Sequence, residues 1–131
     1  MTTPILLYDD DCGFCRWGVA RVLGWDRRRS LRAVAIGSDE GAALLGDLDE
    51  TARMDSWHLV DRDGVRTSAG AAVAPLMRLL PGGWPAATIA SRWPRATEAV
   101  YRAIVRRRGW LGRAVSAGAA RRARRRIAER A

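Results

Sequence analysis

The run Tyr8-Asp9-Asp10-Asp11-Cys12-Gly13-Phe14-Cys15-Arg16 decides how the rest of the chain is read. It holds the only two cysteines of 131 residues, directly after the apolar Pro4-Ile5-Leu6-Leu7 and directly before a helical pattern. Two thiols in a CxxC on the first turn of a helix reach disulfide geometry with little backbone movement, so the pair can cycle between dithiol and disulfide. Cys12, at or near the N-cap, faces unpaired amides and the positive end of the helix dipole, which favour a thiolate. Cys12 is therefore the expected nucleophile and Cys15, one turn further in, the resolving thiol. Asp9, Asp10 and Asp11 oppose ionisation, Arg16 opposes them, and the sign of the balance stays open. Asp9, at the end of the expected strand, is the candidate proton acceptor for Cys15 when a mixed disulfide resolves.

Other uses of a CxxC fit less well. A closed zinc site takes four ligands, and His58 is the only histidine beside the two cysteines. Covalent haem attachment needs a histidine where Arg16 stands. A disulfide across so short a loop constrains little unfolded-state entropy. Redox exchange without a cofactor is the expectation.

The pattern Tyr8-Asp9-x-x-Cys12-x-x-Cys15 followed by Arg16-Trp17 resembles the DCC family of thiol-disulfide oxidoreductases, named for its DxxCxxC signature. The likeness runs on through Trp57–Asp61 and Ser68 to Tyr101-Arg102-Ala103-Ile104-Val105-Arg106, Trp110 and Gly112-Arg113, covering roughly residues 4 to 113. It implies a thioredoxin-like fold and thiol-disulfide exchange. Two departures stand out. Residue 10 is Asp where that family usually has Gly, so the turn before Cys12 is expected to ask Asp10 for a left-handed backbone. Thioredoxin-like redox enzymes also carry a cis-proline opposite the cysteines, whereas this chain has no proline between Pro4 and Pro75 and places Asp55 and Ser56 in that neighbourhood. Around the cysteines, Asp11, Phe14, Arg16 and Trp17, with Asp55 and Ser56 opposite, form the candidate substrate groove.

Length and an apolar share of 48% fit one globular domain. The N-terminus has no basic segment ahead of its apolar run and does not read as a signal peptide. No stretch approaches the roughly 20 apolar residues that cross a bilayer. The expected address is the cytoplasm, with membrane association through the basic end as an option. The net charge of +9 is uneven: residues 1–94 carry 11 Arg against 12 acidic residues, residues 95–131 carry 12 Arg against two Glu, and there is no lysine.

The expected architecture is α/β, thioredoxin-like β-α-β-α-β-β-α over residues 1–80, a helical extension over 81–113 packed on it, and an Arg-rich solvated tail over 114–131. Strands are expected at Ile5–Tyr8, Leu31–Ile36, Trp57–Val60 and Val65–Thr67, the last two joined by the turn signal Asp61-Arg62-Asp63-Gly64. A first helix spans about Cys12–Trp25, with Cys15, Val19, Val22 and Leu23 near one face. A second, near Ala42–Leu48, is capped by Ser38 or Asp39, and a third starts at Ser68, with Pro75 forcing a kink or a later start. His58 reads as a hydrogen-bonded sheet residue. The six tryptophans, with Ile89, Val100, Ile104 and Leu111, are expected to pack helices onto the sheet, and Trp17 to border the groove.

Three classes of function follow. The first is an oxidoreductase acting on a protein or small-molecule thiol or disulfide. The second is a non-catalytic thioredoxin-like binding module that docks an acidic partner, a membrane protein or an anionic surface through residues 95–131, with nucleic acid disfavoured for want of a recognition motif. The third is a metal or cluster site shared between two subunits through their CxxC motifs.

Overall fold

The computed structural model describes residues 3–130. Four short strands, β1 (Ile5–Tyr8), β2 (Arg32–Ala35), β3 (His58–Val60) and β4 (Arg66–Ser68), form one sheet in the order β2-β1-β3-β4. β1 and β2 are parallel, with Leu6 opposite Ala33, while β1–β3 and β3–β4 are antiparallel. Eight α-helices flank it: α1 (Gly13–Trp25), α2 (Asp39–Leu44), α3 (Glu50–Asp55), α4 (Val73–Leu79), α5 (Trp84–Arg92), α6 (Pro94–Arg106), α7 (Arg108–Arg113) and α8 (Ala117–Ala128). This is the mixed α/β, thioredoxin-like arrangement with added C-terminal helices.

Alternation along β1 divides the core. Leu6 and Tyr8 face Val19 and Leu23 of α1, Leu76 of α4 and Ile127 of α8, while Leu7 faces Val34, Ile36 and Leu45 on the α2 side. Two glycines permit approaches that a side chain would block. A Cβ on Gly41 would lie 2.3 Å from the Ala35 carbonyl oxygen, and one on Gly70 would lie 2.7 Å from Glu98 Cα. The second approach seats α6 against the 3-10 turn Ala69–Ala72, where the Gly70 amide donates to Glu98 Oε2 at 2.8 Å.

Several expectations need correction. The Arg-rich end is not a solvated tail: residues 117–128 form α8, which packs along α1 and buries Ala123 and Ile127. Small residues on one face of α8 allow this, and Arg130 fastens its end. Arg130 Nη1 donates to the buried Asp26 Oδ2 at 2.8 Å, Nη2 donates to the Leu23 and Asp26 carbonyls, and the Arg130 carbonyl accepts from the Ala33 amide of edge strand β2. Ser68 does not cap the following helix with its side chain; its Oγ lies 2.6 Å from His58 Nδ1. The other ring nitrogen, Nε2, donates to the Arg53 carbonyl at 2.9 Å, so Nδ1 accepts from Ser68 and His58 is a satisfied core residue. Pro75 falls in the first turn of α4, preceded by the 3-10 turn, which is the later start expected of it. Trp84 and Ile89 are exposed because α5 reaches the fold through Ala87 and Ala90 instead, and Trp93, Val100, Ile104 and Trp110 are exposed as well.

Candidate active site around Cys12 and Cys15

β1 ends at Tyr8, and the chain turns into α1 within four residues. The Cys12 amide donates to the Asp9 carbonyl at 3.4 Å, the Asp11 amide to Asp9 Oδ1 at 3.0 Å, and Arg16 Nη1 to the Asp10 carbonyl at 2.7 Å. Asp10 keeps a negative φ; the non-glycine residues with positive φ among those described are Arg29 and Ala69. The departure from Gly at position 10 is therefore free of the expected backbone strain. No peptide bond among the described residues is cis.

Cys12 is the N-cap of α1, with extended backbone, and its sulfur accepts the Cys15 amide at 3.3 Å. The sulfur thus takes the place of the side-chain oxygen that usually satisfies an orphan amide there. Both cysteines are free and partly buried. Burial pushes the Cys15 thiol up to about 12, helped by the adjacent Cys12 and by Asp9, with Arg108 pulling the other way. The carboxylates of Asp9, Asp10 and Asp11 lie within 4.8 Å of one another beside the pair. Neither cysteine joins a cluster of three or more metal-ligating side chains among the described residues.

Behind Cys15 lies a pocket of about 250 Å³. Of the expected groove residues, Phe14 and Ser56 line it, together with Cys15 and Asp9. Asp11, Arg16, Trp17 and Asp55 do not. Asp55 pairs with Arg102 at 3.2 Å, and Trp17 stacks on Phe14 at 6.0 Å while carrying the Arg21 guanidinium 5.2 Å from its ring centroid. Trp17 faces the separate groove between α1 and α8.

Four pocket residues, Tyr101, Ile104, Val105 and Arg108, come from the C-terminal helices and were not anticipated as site residues. Glu98, Tyr101 and Val105 follow one another on α6 at three- and four-residue spacing, so the approach at Gly70 that seats Glu98 also turns Tyr101 inward, while Arg108 enters the lining from the first residue of α7. Burial raises the Tyr101 phenol above its ordinary value; its hydroxyl faces the Trp57 backbone and the Ser56 side chain and feels Cys15 nearby. The available signal was that inward spacing in an otherwise Arg-rich helix.

A family model for DCC1-like thiol-disulfide oxidoreductases matches residues 6–114, most of the chain. The chain belongs to the DCC1-like thiol-disulfide oxidoreductase family. That match takes in the CxxC, the pocket and helices α6 and α7, and ends before α8. No curated protein and no solved structure matches the chain. No helix among the described residues is long and apolar enough to cross a membrane.

Proposed function

We propose that the chain is a dithiol-disulfide oxidoreductase in which Cys12 attacks and Cys15 resolves. The observation that carries the assignment is the asymmetry of the two sulfurs: Cys12 caps α1 and accepts the Cys15 amide, while burial pushes Cys15 up to about 12 and keeps it protonated at neutral pH, so attack falls to Cys12. Cys12 sulfur attacks one sulfur of a substrate disulfide, that S–S bond breaks, and the departing thiolate takes a proton. Cys15 then gives its proton to a base and attacks Cys12 Sγ, releasing the second substrate thiol. The protein pair is oxidised by two electrons and the substrate disulfide reduced to two thiols; the reverse sequence oxidises a substrate dithiol.

Asp9 is the base in this reading, because it lines the pocket beside Cys15 and its charge is felt there. Arg108 steadies the thiolate that forms. Trapping tests the scheme: Cys15→Ser in cell extract accumulates mixed disulfides released by dithiothreitol, and Cys12→Ser accumulates none. Equal trapping by both variants, or by neither, contradicts it.

A second reading, partner docking, is favoured by the +10 net charge of residues 95–131 and by the groove where Arg21, Arg122, Arg125 and Arg126 meet. Its partner is an acidic protein surface. Removing residues 114–131 would not test it, since Arg130 holds the buried Asp26. Replacing Arg122, Arg125 and Arg126 with Gln keeps that pair, and it should abolish salt-sensitive retention of an acidic partner while leaving the reactivity of Cys12 unchanged.

A further inference from the structure

Gly18 stands in the middle of α1, where glycine is the poorest helix former after proline. Its backbone is ordinary helix, and a Cβ placed on it would meet nothing within 4 Å. The space beside it belongs to the 250 Å³ pocket. An alanine or leucine there would help the helix and fill the void, so the glycine keeps volume open at the expense of helix stability.

The walls are apolar almost throughout, from Leu6, Val19, Val22, Trp57, Leu76 and Val105. Water needs two to four polar partners to occupy a cavity, and such walls offer few. Among the polar lining, Asp9 and Arg108 act on the Cys15 thiol and the Tyr101 hydroxyl lies near it, while the Ser56 hydroxyl donates to the Trp57 carbonyl. An apolar hollow with a few convergent polar groups is the usual form of a small-molecule site. Ile104, 42% exposed, shows that the lining reaches the surface on the α6 side.

The geometry points to a binding site for a small, mainly apolar molecule, about two fused six-membered rings in size, with one polar group lying among Cys15, Tyr101 and Arg108. The size follows from volume, since a cavity of about 150 Å³ holds benzene. Binding here goes beyond thiol-disulfide exchange and does not depend on it. A ligand so placed covers the Cys15 thiol and leaves Cys12, which is not part of the lining, uncovered.

The test is a titration of the reduced, full-length chain with 2-naphthol, followed through amide chemical shifts. The expected result is saturable one-to-one binding with the largest shifts at Cys15, Gly18, Tyr101 and Val105. Gly18→Leu, which puts a side chain into the void, should weaken binding at least tenfold, and Gly18→Ala should weaken it less. Absence of saturation, shifts centred on the exposed Trp84, Trp93 and Trp110, or equal binding by the folded Gly18→Leu variant would each overturn the proposal. The map on the unaltered chain decides the matter even where Gly18→Leu does not fold. Exchange chemistry without saturable binding sinks this inference alone, and binding by a chain with inert cysteines sinks the exchange reading alone.

Discussion

The two sulfurs differ in their surroundings more than in their distance along the chain. Cys12 caps a helix and accepts an amide, whereas Cys15 is partly buried in a pocket it shares with Tyr101 and Arg108, with its thiol pushed up to about 12. Cys15 is then still protonated at pH 8, so iodoacetamide should modify Cys12 first and Cys15 only at markedly higher pH. Peptide mapping of the alkylated sites reads this directly, and earlier labelling of Cys15 would contradict it. Asp9→Asn separates two effects of opposite sign. Losing a negative charge eases ionisation of Cys15 and speeds resolution, while losing a general base slows it, by about 10²-fold or more. Slower release of the mixed disulfide in stopped-flow assays is the expected outcome, and faster release would leave Asp9 a mere charge. The motif itself was legible because cysteine spacing and strand-to-helix order are properties of adjacent residues. Tyr101 was hidden because its place beside Cys15 depends on how closely α6 approaches Gly70, 28 residues before Glu98, and Arg108 because it follows the break between α6 and α7.

At the level of elements, local chemistry fixed most of what could be read early. Ser38 caps α2 by accepting the Gly41 amide at 3.1 Å, Val19 and Leu23 turn inward on α1, and strand ends fall within a residue or two of expectation. α3 escaped notice because six residues give little periodicity; its signal was the cap, Asp49, which accepts the Ala52 amide at 2.8 Å. The Arg-rich stretch misled because charge density says nothing of the alanine face between the guanidiniums, through which α8 lies on α1. Two glycine substitutions should move stability in opposite directions. Gly18→Ala removes helix entropy cost at an open position and should stabilise the chain by about 0.5–1 kcal/mol. Gly70→Ala sets a methyl against Glu98 and should destabilise it by about 1–3 kcal/mol while displacing Tyr101 from the pocket. Urea denaturation followed by tryptophan fluorescence measures both, and equal signs would contradict the packing described.

Across the whole molecule, the last residues are tied to the first half of the fold. Arg130→Met leaves the Asp26 carboxylate buried without its cation and should cost about 3–5 kcal/mol, a loss that urea midpoints would reveal. Stability should also depend on pH through the two buried groups whose ionisation is shifted down. Burial holds the His58 ring below its ordinary 6.5, and hydrogen bonds from Ser30, Leu31 and Arg130 hold Asp26 below 3.8 against the opposing cost of burial. In each case the unfolded chain binds the proton more readily, so stability is full above the ordinary value and is lost as pH falls through the lowered one. Urea midpoints should therefore decline first below about pH 6.5 and again below about pH 3.8, with His58→Gln removing the first step. Neither step involves the cysteines, whose exchange is read separately. Equilibration of the full chain in glutathione buffers of graded potential, followed by alkylation and intact-mass measurement, counts free thiols in each. The account predicts one cooperative two-electron transition from two free thiols to none, with no glutathione adduct at the oxidised end. Two thiols that stay free under oxidising conditions, or that take up glutathione one by one, would contradict it.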